Sequence, residues 1–448
     1  MTDPAYPDLT LTTEAPRPAV PPPCERWCGA AGSGKTYALL RQSEADPSWA
    51  QLCSTTGISA VNLGSVTINS LLRYSDRLAM RDAYIEGHLV SALFDITLTH
   101  HWLALEEYSM YDADQLDTLY CAVTDLNRDP HVPWPLGIIL IGDLAQLPPV
   151  KGRWCFEADC WGRFAESTRR FDKIWRQDGG PFLDALNLAR YGNGAEAAEI
   201  LTSAGAVWHT QLDSEFSGTT IVDENKKVNR YNALSLSRVT GRRFILTSRR
   251  WGVQRHEWGQ NKHGDWGIPP EAEFKIGAYV MILANMKELI ASNGDCGYIE
   301  DYGENDEGDM VVRVRLVRNN ELVEVKKIVR EVGSHHCPHG WRGKIVRAAD
   351  DDGSYRPYNH HRARAQRFVT GQIEYYPLRL GYASTVHKSQ SLTLDRVQVD
   401  FRGWMFKQPA MLYTALSRCR TLAGLRLVGS PERFATQCRM DPHVRRWL

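Results

Sequence analysis

One stretch of this sequence constrains the fold more than any other. Residues 29–36 read Gly-Ala-Ala-Gly-Ser-Gly-Lys-Thr and fit the pattern G-x-x-x-x-G-K-[ST] in full. In this pattern the glycines let backbone N–H groups surround phosphate oxygens, the lysine reaches the outer phosphates, and the hydroxyl can bind Mg²⁺. The residues that follow predict a helix, whose N-terminal dipole favours bound anions. We therefore predict a nucleotide site formed by Gly29, Gly32, Ser33, Gly34, Lys35 and Thr36.

Composition and charge narrow the class of protein. The 448 residues include 53 basic and 53 acidic side chains, so the formal net charge is zero and any binding of nucleic acid requires a local groove. The 10 cysteines form no C-x-x-C pair, which favours a reducing compartment. Since no apolar run reaches the length of a membrane span, we expect an intracellular, cytoplasmic protein with no membrane partner.

Apolar segments that end in polar residues indicate a parallel sheet. Residues 102–105 and 136–141 are typical of buried strands, and further strands alternate with helical stretches, which predicts an α/β fold of RecA type. The first segment ends in Glu106 and Glu107. Carboxylates at the carboxyl end of such a strand can hold Mg²⁺ and polarise water, although a solvated acidic turn is the alternative.

The chain divides into five predicted parts. The proline-rich N-terminal residues cannot bury enough apolar surface to become ordered, so we expect a flexible tail. Alternating runs on either side of Asn319 and Asn320 give a hairpin signal, which predicts a small β insertion in the second half. The predicted boundaries are 1–23 for the tail, 24–175 for a first α/β domain, 176–295 and 375–448 for a second, and 296–374 for the β insertion.

Three segments stay open at the level of sequence. Residues 73–99 have no clear assignment. The cluster His335, His336, Cys337 and His339 invites a zinc site, but its spacing matches no standard finger, so we predict no zinc there. The basic stretch 361–367 is typical of a solvated face, and contact with phosphates is the alternative.

Several motifs resemble, in order, those of superfamily 1 helicases of the RecD and Dda branch. The most specific lie at residues 141–150, 385–390 and 413–418, and residues 277–297 also match. The resemblance covers nearly the whole chain after the tail. It implies two RecA-like P-loop domains with ATP in the cleft between them, and a small SH3-like β module inserted in the second. It also implies a DNA-stimulated ATPase that moves 5′ to 3′ along single strands.

The same resemblance assigns roles to single residues. It implies that Lys35 binds phosphates, Glu107 activates water and Gln146 senses the γ-phosphate. Arg176 and Arg418 would come from the second domain and neutralise charge in the transition state. It further implies that Gln390 joins the nucleotide site and that Thr36 and Glu106 hold Mg²⁺. The implied DNA contacts are Thr55, Thr56, Thr67, Asn69, His387 and Lys388. For each hydroxyl, helix capping is the alternative.

Three departures from the family pattern have consequences. Glu106 replaces the usual aspartate, and its extra methylene moves the carboxylate outward. Ser391 stands where the family has glycine after Ser-Gln, which alters the backbone of that loop. The upstream glutamine motif that recognises adenine is missing before Cys24, so we predict looser discrimination between ATP and other nucleoside triphosphates.

The sequence therefore predicts an ATP-dependent DNA helicase of replication, repair or recombination. Its expected partners are single-stranded DNA and replication or recombination proteins, and we expect a monomer. The compact length suggests a phage or plasmid origin. Two alternatives stay open. The family carries its strand-separating wedge in the region of residues 73–99, which is short here, so a translocase without unwinding is one. A nucleic-acid-binding adaptor with decayed ATPase activity is the other.

Overall fold

The computed structural model describes residues 21–150, 152–177, 179–252, 268–284, 291, 294–334, 345–346 and 367–448. Residues 1–20 of the predicted tail lie outside this part, as do the cluster at 335–339 and residues 361–366 of the basic stretch. The predictions for these segments therefore stay predictions.

The first half of the chain builds a six-stranded sheet in which every pair of neighbours is parallel, in the order β3-β2-β4-β5-β1-β6. Its strands are β1 Cys24–Gly29, β2 Ala50–Ser54, β3 Val66–Thr67, β4 Trp102–Glu106, β5 Gly137–Gly142 and β6 Thr168–Phe171. Its helices are α1 Lys35–Ala45, α2 Gly57–Asn62, α3 Ile68–Leu72, α4 Arg77–Ile85, α5 His88–Thr97, α6 Ala113–Leu126 and α7 Trp161–Glu166.

The central strands are apolar because helices cover both faces of the sheet. All six residues of β5 are buried, as the continuous apolar run predicts for an inner parallel strand. The strands β1 and β4 flank β5, so the loops that follow these three strands meet at one edge of the sheet.

The unassigned segment 73–99 is helical. Asp76 caps α4 by accepting from the backbone N–H groups of Leu78 and Ala79, and Gly87 begins α5 with a φ of 78°. The inner faces of α4 and α5 bury Met80, Leu89, Leu93 and Ile96 in the core of the first domain.

The second domain begins with helices that lead into a new sheet. Its first elements are α8 Pro181–Arg190, α9 Gly194–Ser203, β7 Trp208–His209, β8 Thr219–Val222 and α10 Asn225–Arg238. The periodicity of the first of these segments predicts an apolar face of Phe182, Leu183, Leu186 and Ala189. In α8, Phe182, Leu186 and Ala189 are buried together with Ala185, while Leu183 is half-buried.

A region of antiparallel strands interrupts this domain. The strands are β9 Arg243–Thr247, β10 Arg249–Gly252, β11 Glu271–Lys275, β12 Tyr279–Ile282, β13 Cys296–Glu304, β14 Met310–Leu316, β15 Leu322–Val325, β16 Ile328–Ser334, β17 Ile345–Val346, β18 Arg367–Tyr375 and β19 Leu378–Leu380. The predicted hairpin at Asn319 and Asn320 joins β14 to β15. Antiparallel pairing begins before residue 296, while the boundaries of the insertion and its SH3-like character stay predictions.

The last part of the chain completes the second sheet. Its elements are β20 Ala383–Thr385, α11 Val386–Ser389, β21 Val397–Asp400, α12 Met411–Leu416, β22 Leu425–Val428 and α13 Pro431–Gln437. The sheet has the order β20-β8-β21-β22-β7, and all its neighbours are parallel. The predicted α/β fold with two parallel sheets is confirmed.

The final residues of the chain return to the first domain. Val444 is buried in its core, and the ring of Trp447 packs edge-on against Trp161 at 5.6 Å between centroids. Arg26 donates to the carbonyl oxygen of Trp447, and Arg170 donates to that of Leu448. The chain therefore passes between the two domains twice.

Among the described residues, none of the helices has the length and apolar character needed to cross a lipid bilayer.

Candidate active site between the two sheets

The predicted phosphate loop connects β1 to α1. Gly32 and Gly34 have φ values of 80° and 84°, a left-handed conformation that favours glycine. A side chain at Gly32 would also collide with Arg176, whose Cβ lies 2.5 Å from the position of an added Cβ. The glycines of the pattern therefore serve both the turn and its close packing.

Lys35 fills the centre of the loop. Its ammonium group donates to the carbonyl oxygens of Gly29 and Ala30, both at 2.9 Å, and to the Ser33 hydroxyl at 3.3 Å. Burial lowers the pKa of Lys35, and the nearby carboxylates oppose this effect. A buried ammonium group in a ring of backbone oxygens is suited to exchange these partners for phosphate oxygens.

The two predicted Mg²⁺ ligands are in contact. Thr36 donates its hydroxyl hydrogen to Oε1 of Glu106, and Ser59 donates to Oε2. Protein-bound Mg²⁺ usually takes one or two protein oxygens and completes its shell with water and phosphate oxygens. A hydroxyl and a carboxylate side by side at the phosphate loop fit such an ion. Among the residues that the structure describes, no group of three or more His, Cys, Asp and Glu side chains is arranged to hold a metal.

Glu106 is buried, and its pKa reflects this. Burial raises the pKa of Glu106 to about 7, and the adjacent carboxylate of Glu107 adds to the rise. The hydroxyls of Ser59 and Thr36 and the charge of Lys35 act in the opposite direction.

Glu107, the predicted base, reaches across to the second domain. Its Oε2 accepts from Nε2 of Gln390 at 3.0 Å, and its Oε1 accepts from the Ser391 hydroxyl at 2.6 Å. Oε1 of Gln390 is buried and has no hydrogen-bond partner among the described residues. The structure therefore brings together the predicted base and a predicted nucleotide-binding residue that lie 283 positions apart.

The predicted arginines lie beside the same cleft. Arg418 is buried and approaches Oε1 of Gln146 at 3.5 Å, while its Nε donates to the carbonyl oxygen of Thr414 at 2.9 Å. Arg176 lies in the connection between β6 and α8, and it donates to the carbonyl oxygen of Ser417 at 3.0 Å. Burial and the charge of Arg418 lower the pKa of Arg176 to about 9.

Three residues of the cleft had no predicted role. Asp143 follows β5 and accepts from Arg190 Nη2 at 2.8 Å and from the hydroxyl of Tyr413 at 3.0 Å. The Tyr413 oxygen also accepts from the backbone N–H of Ala31 in the phosphate loop, at 3.0 Å. Burial alone would raise the pKa of Asp143, but Arg190 and Lys35 hold it below the usual value. Asp143 and Tyr413 stand inside motifs that the sequence singled out, whereas Arg190 carried no such signal.

Two of the predicted DNA contacts lie at the carboxyl end of β2. The hydroxyl of Thr55 donates to the backbone oxygen of Glu107 at 2.9 Å. The hydroxyl oxygen of Thr56 accepts from the backbone N–H of Ser59 at 3.2 Å, at the start of α2. Thr55 thus contacts the predicted base directly, which its sequence position did not suggest.

Thr67 is the last residue of β3, which pairs with β2 in the sheet, and Asn69 is the second residue of α3. Thr67 caps the helix by accepting from the backbone N–H of Ser70 at 3.3 Å. Asn69 donates to the carbonyl oxygen of Ser75 at 3.4 Å. The capping alternative therefore describes the contact that Thr67 makes, and a role toward DNA stays a prediction.

His387 and Lys388 lie in α11, which follows β20. Thr385 caps this helix through the backbone N–H of Lys388. Burial lowers the pKa of His387, and burial together with Arg379 lowers that of Lys388. His387 and Lys388 precede Gln390 in the chain by three and two positions. They therefore belong to the segment of the second domain that contacts Glu107.

The fold and the cleft define a class of protein. A phosphate loop at the edge of one parallel sheet faces polar and cationic residues from helices and loops of a second domain, which is built on another parallel sheet. This arrangement is that of a P-loop NTPase with two RecA-like domains.

Comparison of the sequence with known proteins gives a more specific similarity. The chain is 28% identical over 413 residues to the ATP-dependent DNA helicase Pif1 of Bdellovibrio bacteriovorus, covering 90% of this chain and 83% of that protein. It is 27% identical over 439 residues to the ATP-dependent DNA helicase PIF1 of Homo sapiens, covering 93% of this chain and 60% of that protein. The chain therefore spans most of the bacterial relative but less than two thirds of the human one.

Solved structures share the fold. Pif1 helicase from Candida albicans matches with a TM-score of 0.67 at 20% identity, covering 95% of this chain and 94% of that chain. Bacteroides Pif1 in complex with ADP-AlF4 matches with a TM-score of 0.68 at 22% identity, covering 95% and 92%. No protein-family model matches the chain. The predicted resemblance to superfamily 1 helicases of the RecD and Dda branch, to which Pif1 helicases belong, is confirmed.

Proposed function

We propose that this protein is an ATP-dependent DNA helicase that moves 5′ to 3′ along single-stranded DNA. The contact of Glu107 with Gln390 and Ser391 carries the proposal, because it joins the predicted base of one RecA-like domain to the other domain. The named activity of the Pif1 relatives supports it. Replication, repair and recombination are the processes that we assign to it, with a monomer as the working form.

Each residue of the cleft has a separate role in ATP hydrolysis. The phosphate loop and Lys35 bind the phosphates. Thr36 and Glu106 would hold Mg²⁺, which would supply positive charge for the phosphate oxygens. Glu107 takes the proton of the attacking water, and Gln146 senses the γ-phosphate. Arg176 and Arg418 neutralise the charge that develops as the bond to the leaving ADP breaks.

Movement along DNA follows because each of the two domains contributes residues to the ATP site. Arginines of this kind are worth about 10³ to 10⁵ in rate in related phosphoryl-transfer systems, so hydrolysis depends on domain closure. Closure and opening then change the distance between the DNA contacts at Thr55 and Thr67 and those at His387 and Lys388. Alternating grip on these two groups of contacts moves the strand.

The first experiment measures steady-state ATP hydrolysis with and without single-stranded DNA, for the wild type and for Glu107→Gln. We expect strong stimulation by DNA, and a loss of roughly 10² to 10⁴ in kcat for the variant, the range that general base catalysis provides. DNA binding measured by fluorescence anisotropy serves as the control and should be retained. Hydrolysis that DNA does not stimulate would contradict the proposal, and absent hydrolysis with intact DNA binding would favour the adaptor.

A translocase without strand separation is the second candidate. One observation favours it: residues 77–97 form the helices α4 and α5, where the resemblance places a wedge. Strand displacement on duplexes with a 5′ or a 3′ single-stranded tail separates the two candidates. A helicase of this branch displaces the strand from the 5′-tailed duplex alone, whereas a translocase hydrolyses ATP and displaces neither.

A further inference from the structure

We infer that Ser391 is a positioning residue which holds the base Glu107 in an idle orientation until DNA engages the adjoining helix α11. The inference rests on the proposed ATPase function and concerns how that function is kept low without DNA. We call the contacts of the Glu107 carboxylate with Gln390 and Ser391 the base latch.

The base latch engages both oxygens of the carboxylate. The Ser391 hydroxyl donates to Oε1 at 2.6 Å, and Nε2 of Gln390 donates to Oε2 at 3.0 Å. Hydrogen bonds to a charged acceptor are stronger than those between neutral groups, and Glu107 is buried, so water competes poorly for these positions. The two donors come from the second domain, so they direct the carboxylate toward that domain.

Ser391 adopts a backbone conformation that glycine would adopt at lower cost. Its φ is 66°, in the left-handed region that side chains with a Cβ rarely enter. A glycine would relieve this strain but would lack the hydroxyl. The serine therefore combines an unfavourable backbone conformation with a short hydrogen bond to the predicted base, which is the combination expected of a functional contact.

The backbone of Glu107 is held from the opposite side. Its φ is 59°, also left-handed, and its carbonyl oxygen accepts from the hydroxyl of Thr55. Thr55 is a predicted DNA contact of the first domain. The base is thus connected through one hydrogen bond to that contact.

The second domain offers a matching connection. His387 and Lys388, predicted DNA contacts, lie in α11, and this helix ends at Ser389, directly before Gln390 and Ser391. When α11 binds a DNA strand and shifts, the two donors of the base latch shift with it. The reason is that α11 is a single helical turn and Gln390 and Ser391 follow it directly. Glu107 is then free to orient the attacking water, and hydrolysis accelerates when DNA is bound.

The test compares Ser391→Gly and Ser391→Ala with the wild type in steady-state ATP hydrolysis. Both variants lack the hydroxyl, but only glycine also relieves the backbone. We expect both to raise the DNA-free kcat by roughly tenfold to a hundredfold, the effect of losing one hydrogen bond to a charged group. The KM for ATP should change less than twofold, because the base latch does not contact the phosphate loop. The factor by which DNA stimulates hydrolysis should fall correspondingly.

Ser389→Ala is the matched control. Its hydroxyl belongs to the same segment but donates to the carbonyl oxygen of Val386 at 2.8 Å, so its loss should leave the DNA-free kcat within twofold of the wild type. A rise in Ser391→Gly alone would assign the effect to the backbone and overturn the inference. An unchanged or lower DNA-free kcat in both Ser391 variants would overturn it as well.

The wild type distinguishes a failure of the inference from a failure of the proposed function. If DNA does not stimulate wild-type hydrolysis, the proposed function fails, and the base latch fails with it. If DNA stimulates the wild type while both Ser391 variants keep its DNA-free rate, the base latch alone is wrong.

Discussion

Glu106 has surroundings in which a carboxylate is costly to ionise. It lies under the phosphate loop with a second carboxylate beside it, and its pKa is raised to about 7. Near neutral pH, protonation of Glu106 would therefore compete with the Mg²⁺ binding that we propose for the same oxygens. The family pattern has an aspartate at this position, and its side chain is one methylene shorter. The glutamate therefore places its carboxylate further from the backbone.

The competition makes the Mg²⁺ requirement depend on pH. We expect the Mg²⁺ concentration for half-maximal ATP hydrolysis to rise by about tenfold between pH 8 and pH 6, because the proton occupies Glu106 below its raised pKa. Titration of Mg²⁺ at fixed ATP and several pH values measures this. In Glu106→Gln the rise should largely disappear, and a variant that keeps the full pH dependence would show that another group titrates.

At the scale of single residues, the sequence predicted which side chains lie close together but not every hydrogen bond among them. Thr36 and Glu106 were predicted as a pair and lie in contact, because a phosphate loop and the neighbouring strand ends meet at one sheet edge. The hydroxyl of Ser59 on the same carboxylate was not predicted, since a serine in a helix gives no signal of the direction in which it points.

Among the elements, α4 and α5 differ most from what the sequence allowed us to assign. The strands β4 and β5 were predictable because their apolar runs are continuous. The helix α4 has nine residues and buries Met80 alone, so most of its apolar side chains do not mark the face that packs on the core. Its outer face exposes Leu78 and Ile85, which are 65% and 70% exposed and seven positions apart.

These two side chains give the element a testable role. If the protein separates strands with α4 in place of the wedge, we expect Leu78→Ser with Ile85→Ser to lower the rate of strand displacement by roughly threefold to tenfold, since two exposed apolar groups packed on unpaired bases would contribute about 1 kcal/mol. DNA-stimulated ATP hydrolysis should stay within twofold, because neither residue lies in the cleft. Asp82→Ala, on the exposed surface of the same helix, is the control. Equal loss in both assays would show damage to the fold instead.

Polar contacts that no local pattern predicts join the two domains, beside the apolar contacts of Leu147 and Ala145 with the second domain. Tyr413 and Asp143 are 270 positions apart and meet between the domains, and Arg190 joins them from α8. Sequence motifs located Tyr413 and Asp143 but could not show that they bond to each other, because domain packing decides such contacts.

The ion pair of Arg190 with Asp143 is buried, with side chains 11% and 0% exposed. Arg190→Ala leaves Asp143 without its cation, which should destabilise the docked domains by about 3 to 5 kcal/mol. Arg190 holds the pKa of Asp143 below its usual value, so the pair stabilises the fold above that value, and its contribution is lost as the pH falls through the lowered pKa.

Thermal unfolding of the wild type and Arg190→Ala between about pH 8 and about pH 2 measures the effect, because the lowered pKa of Asp143 lies at the acid end of this range. The two midpoints should lie far apart at neutral pH and converge toward acid pH. Asn187→Ala, on the exposed side of the same helix, is the control and should unfold near the wild type. A constant difference at all pH values would assign the loss to packing.

The double passage of the chain between the domains restricts how the cleft can open. One connection runs from β6 to α8, and the other runs from α13 to the residues around Val444. A body attached to another at two separate points cannot swivel about either point alone. One domain then rotates relative to the other about the axis that passes through the two connections. Opening of this cleft is thereby reduced to rotation about one axis, and the proposed ATP cycle would drive that rotation.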